Sequence, residues 1–287
     1  MTRIKFIPQK LRKNRKAVSP AVSTVILTSA VVVLILVTIV FANNFVNARI
    51  AENEFDSMKQ FMQTIALQID DVGWAVGRTQ TIRYASRFGQ VNVLPFALNY
   101  YVYVDKGSGY SLIANYSVDI LLFNMPVSRY SISNNHHERI SPSSDGSFLQ
   151  LGTSAPVAHV FAVEKMPMND GSYIRVVVAP TIRMLNSTIS TSGITKNYYK
   201  FYLPILLSSG NHPYRSQSVT LTGTEVRVKT ESDVTKVKIH YTAEKAAYGF
   251  NAAFFNFEKA DEEVDVPNGS IIEIYTGKVI VSIGLQI

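Results

Sequence analysis

Between Lys16 and Arg49 the chain carries no charged residue, and most of the run is Val, Ile, Leu, Ala and Phe. A helix that is apolar on every side has no face to give to water, and this run exceeds the roughly 20 residues that cross a hydrocarbon layer of about 30 Å. The first expectation is therefore a membrane-spanning segment. Arg3, Lys5, Lys10, Arg12, Lys13, Arg15 and Lys16 precede it with no acid among them. The positive-inside bias then holds the N-terminus in the cytoplasm and puts everything after about Asn43 outside.

A secretory signal peptide has an apolar region of about 7 to 15 residues with its small-residue cleavage site after it. Here the run is longer, and the small residue, Ala17, stands in front of it. Ser19-Pro20 fits an N-cap followed by proline at the first helical position, where the missing N–H costs nothing. Arg15-Lys16-Ala17-Val18-Ser19-Pro20-Ala21-Val22, followed by a long apolar helix, resembles the class III signal peptide of archaeal type IV pilin-like proteins. The resemblance covers about the first 45 residues. It implies that a prepilin peptidase cuts after Ala17, at the site formed by Lys16, Ala17 and Val18, and leaves the apolar helix as the mature N-terminus. Ala stands where Gly is commoner before the cut. Val22 stands where the bacterial proteins carry a glutamate, which favours the archaeal type.

The formal net charge of +7 suggests a nucleic-acid binder until its source is located. Removing the seven leading cations from the 28 Lys and Arg leaves 21, matching the 21 Asp and Glu. The excess thus belongs to the topogenic segment, and no nucleic-acid partner is expected. The absence of cysteine excludes disulfides, thiol catalysis and cysteine metal sites. Three sequons, at Asn115, Asn186 and Asn268, fall on the expected outer side and are glycosylation candidates.

After Asn43 the pattern becomes amphipathic. Phe55, Met58, Met62, Ile65, Ile69 and Val72 repeat at alternating intervals of three and four, one stripe of a helix, with Glu52, Glu54, Asp56 and Lys59 on other faces. One helix over about 19–72 would measure roughly 80 Å at its usual rise. Gly73 and Gly77 close it. The arginines 78, 83 and 87 fit either an anion site or, more simply, solvated cations and partners of the helix C-terminus.

From Gln90 the period changes to two. Tyr100–Val104 and Tyr110–Asn124 flank Lys106-Gly-Ser-Gly109 as a hairpin. Strand-like runs follow at 157–163, 173–179, 198–207, 219–221, 226–229, 237–241 and 279–287, and residues 244–257 keep helical spacing. The fold class is α+β: a long N-terminal hydrophobic helix followed by a β-rich, antiparallel, sandwich-like head. The domains are a signal segment (1–17), a transmembrane and stalk helix (18–77) and an extracellular head (78–287).

Candidate chemistry is sparse. His136, His137 and Glu138 are weak metal candidates, because adjacent side chains diverge; a solvated loop is the simpler reading of residues 131–147. Glu258, Asp261, Glu262, Glu263 and Asp265 fit a solvated charged turn better than a calcium loop. The histidines 136, 137, 159, 212 and 240 form no triad pattern, and no nucleophile elbow, zinc helix or phosphate loop is present. No catalytic residue, cofactor or enzymatic activity is expected. Two functions fit best, ahead of an anchored hydrolase: a pilin-like subunit that assembles through its helix, its partners being lipid, prepilin peptidase and other pilin-like chains, or a monomeric membrane-anchored protein that binds sugars, solutes or surfaces. Aromatic residues clustered on one exposed face of the head would favour the second.

Overall fold

The computed structural model describes residues 20–164, 168–169, 171–191, 194–209 and 217–284. The chain divides into two units, Met1–Asn47 and Ala48–Ile287. Helix α1 (Pro20–Gly73) contributes to both. In the first unit every residue from Pro20 to Val46 is exposed. In the second, Ala51, Phe55, Met58, Met62, Ile65, Ala66, Ile69 and Val72 are buried, so the expected stripe is the helix's core face. Burying its six large side chains contributes on the order of 10 kcal/mol, comparable to the net stability of a whole domain.

The strands are β1 (Thr79–Arg83), β2 (Gln90–Asp105), β3 (Tyr110–Pro126), β4 (His136–Ser141), β5 (Leu149–Leu151), β6 (Ala158–Glu164), β7 (Tyr173–Pro180), β8 (Ile182–Thr191), β9 (Ile194–Ser208), β10 (Ser218–Ala243) and β11 (Asp261–Ile283). They are linked in the order β4-β6-β7-β3-β2-β10-β11-β9-β8-β5, with β1 beside β10. Most pairings are antiparallel, but β11 runs parallel to β9, from Ile271 opposite Tyr198 to Val281 opposite Ser208. β5 is likewise parallel to β8. The α+β class holds, while the head's sheet is mixed rather than wholly antiparallel.

Other expectations are corrected. Runs 219–221, 226–229 and 237–241 are one strand, β10, bent by register shifts near Gly223 and Val234. Residues 244–257 contain a 3₁₀ turn, Ala246–Tyr248, and a short helix α2, Ala252–Phe255, rather than one helix. Gly249 interrupts them at φ 97°, and the Asn251 side chain caps α2 by accepting from Phe254 N–H. Phe250, Phe254 and Phe255 are buried there, the last two edge-on to Phe161 of β6.

The end of α1 is seated backbone against backbone. A Cβ added at Gly223 would meet the carbonyls of Val72 and Ala75, and one at Gly277 the carbonyl of Gly73. Asp70 locks the same turn: it accepts from Trp74 Nε1 at 2.7 Å and from both terminal nitrogens of Arg183 at 2.8 and 3.1 Å. The Arg183 guanidinium lies 5.3 Å from the Tyr202 ring, and that ring meets Trp74 edge-on.

Candidate functional site

The N-terminal part of α1 is the first candidate. Its most apolar 18-residue window has a mean hydropathy of 3.0 and none of it is buried. The segment is thus long and apolar enough to cross a membrane. Four of its five hydroxyls are satisfied locally: Thr24, Thr28, Ser29 and Thr38 donate to carbonyls three or four residues back, at 2.7–3.0 Å. A hydroxyl satisfied within its own helix asks nothing of lipid. Pro20 is the first residue of α1. Lys16, Ala17, Val18 and Ser19 lie outside the described residues.

Glu54 was missed by sequence reasoning, which placed it on a polar face; the structure buries it. Its carboxylate accepts from the N–H groups of Arg87, Phe88 and Gly89 at 2.8–3.2 Å, and from the Ser86 hydroxyl at 2.5 Å. The signal was its position three residues after Ala51 and four before Met58, at the margin of the apolar stripe.

A second candidate lies on the sheet. Where β3, β2, β10 and β11 run side by side, Tyr100, Val102, Val104, Val237 and Ile239 point inward. The alternate residues form an outward grid whose rows are read from the register. Tyr110, Asp105, Lys236 and Asp265 make one row; Leu112, Tyr103, Lys238 and Glu263 the next; Asn115, Tyr101, His240 and Asp261 the third. The acids of β11 are therefore strand residues, not a charged turn. They pair across the strands: Lys236 with Asp265 at 3.3 Å, Lys238 with Asp261 at 3.3 Å, and His240 Nδ1 with Asp261 at 2.7 Å.

The remaining sequence candidates are separate from both. His136, His137 and Glu138 lie on β4, not in a loop. Alternation divides them: His137 stacks on Phe161 at 5.1 Å, while Glu138 bonds Lys59 of α1 at 2.8 Å. Among the described residues, no group of three or more His, Asp and Glu is arranged to hold a metal. Asn115, Asn186 and Asn268 are all exposed, on β3, on β8 and beside the irregularity of β11. His212 lies outside the described residues.

His159 is a core residue, 6% exposed and edge-on to Phe257 at 5.6 Å. Burial lowers its pKa to about 4 from the usual 6.5. The unfolded chain therefore takes up this proton first as pH falls, so stability is full above pH 6.5 and is lost on acidification toward 4. The loss amounts to roughly 3 kcal/mol for this group. Urea unfolding of the wild type and His159→Gln at pH 7 and pH 4.5 checks it: the wild type is expected to lose more stability on acidification than the variant does.

No protein family, curated protein or solved structure matches the chain.

Proposed function

We propose that the chain is a pilin-like surface subunit, cut by a prepilin peptidase between Ala17 and Val18 and held through α1, first in the membrane and then in a filament. The head lies outside the cell. One observation carries the reading: a single helix is wholly exposed and uncharged from Pro20 to Val46, yet supplies a buried stripe to the head from Ala51 to Val72. A soluble domain has no use for the first part, and a bare anchor has no need of the second. Lipid is as apolar as the helix, so leaving it for a bundle of copies is driven by close packing. Ala21, Ser23, Ser29 and Ala30 keep that surface low.

The alternative, a monomeric anchored binding protein, is favoured by the grid that carries Tyr101, Tyr103 and Tyr110. Mass-spectrometric identification of the N-terminus in membranes and in sheared surface filaments tests both. A chain beginning at Val18 in filaments is the expected result. The same terminus in membranes alone supports the anchored protein, and an intact Met1 or Thr2 overturns the processing reading.

A further inference from the structure

The head begins within a few residues of the uncharged run. Arg49 is the first charge after Lys16, and Ala51 is already fully buried. Glu54 stands about 9 Å beyond Ala48 by helical rise. Helical side chains lean toward the N-terminus, so its carboxylate lies over the preceding turn. Loop 86–89 closes on that carboxylate. The loop is thereby fixed against α1 within two helical turns of Arg49, the first charge after the uncharged run. The headgroup layer on each side of a bilayer is about 5 to 8 Å deep.

Two cations of the head occupy this rim. The guanidiniums of Arg87 and Arg129 lie 5.2 and 5.3 Å from the centroid of the Phe88 ring. Both residues are exposed, and among the described residues neither forms an ion pair. The neighbouring acids are engaged elsewhere: Glu52 with Arg49 at 2.6 Å, Asp56 and Glu138 with Lys59 at 3.6 and 2.8 Å, and Glu54 with the loop. Stacking restrains both side chains in advance, and the planar fork of arginine matches phosphate oxygens.

We infer that Arg87 and Arg129, stacked on Phe88, dock the head on the phosphates of anionic lipid headgroups at the outer surface of the membrane that α1 crosses. This rests on the reading of α1 as a membrane span. Bilayer and filament then compete for the subunit twice, once through the helix and once through this rim, so the charge of the lipid sets how readily the head lifts away.

The chain lacks cysteine, so Ser128→Cys, exposed and next to Arg129, takes a single fluorophore. The full chain is reconstituted in phosphatidylcholine vesicles, with or without phosphatidylglycerol, each containing headgroup-nitroxide lipid as quencher. Quenching is expected to rise with phosphatidylglycerol and to fall with added salt. Arg87→Gln with Arg129→Gln is expected to lower the docked-to-undocked ratio about 30-fold. Quenching that ignores lipid charge and salt, or that persists in the double variant, overturns the inference. So does a response to inorganic phosphate in phosphatidylcholine vesicles, which would mark a site for soluble anions. Alkaline extraction separates the two levels. A chain stripped from the vesicles sinks the span and this inference together, whereas a retained chain with charge-independent quenching sinks the inference alone.

Discussion

Valine in place of Gly277 is expected to cost about 3 kcal/mol or more and to loosen the end of α1 before the rest of the head. Gly277 lies on β11 where the carbonyl of Gly73 closes over it, and an added Cβ would also stand 3.1 Å from Trp74. Both obstacles are held: the carbonyl is backbone, and Trp74 is tied to Asp70 and packed on Tyr202. A core that cannot yield converts extra volume into strain. Trp74 is the chain's single tryptophan, so its fluorescence during urea unfolding of the detergent-solubilised chain reports on this seat directly. An unchanged midpoint for Gly277→Val would mean that the helix end is not seated there. Gly277→Ala is expected to act in the same direction with a smaller loss.

The second large effect is expected at Glu54. Glu54→Ala leaves three backbone N–H groups and the Ser86 hydroxyl without their shared acceptor. Hydrogen bonds to a charged group are worth about 1.5 to 3 kcal/mol each, but the loop can turn partly to water, so the expected loss is about 3 to 4 kcal/mol in all. Glu54→Gln keeps the length and one acceptor oxygen, and should recover about half. Hydrogen exchange at Arg87, Phe88 and Gly89 separates this from general destabilisation: these amides should lose protection first. Equal behaviour of the Ala and Gln variants would show that the carboxylate serves by filling space.

The two variants bracket what could be read in advance. Helix α1 was legible nearly to the residue, about 19–72 against Pro20–Gly73, because its signals are local: a proline at the start, a three-and-four stripe through the second half, a glycine at the end. The hairpin between β2 and β3 was legible for the same reason, with Gly107 and Gly109 at φ 92° and 104°. What escaped depends on partners far away in the chain. The acids from Asp261 to Asp265 look like a turn until β10 sets Lys236, Lys238 and His240 opposite them. An outward strand face accepts almost any residue whose neighbour suits it. The His136–Ser141 strand and the parallel pairing of β11 with β9 leave no period of their own to find. Glu54 escaped because a carboxylate at the edge of an apolar stripe reads as solvent-facing until four donors from residues 86–89 are known to converge on it.

Strands β10 and β11 hold the helix seat at Gly223 and Gly277, and the same two strands carry the outward ions at Lys236 to His240 and Asp261 to Asp265. Tension applied to that face would pass lengthwise along β10 to the residues that seat the end of α1. Neighbouring strands would then be loaded in shear, with many ladder bonds resisting together, instead of being unzipped one bond at a time.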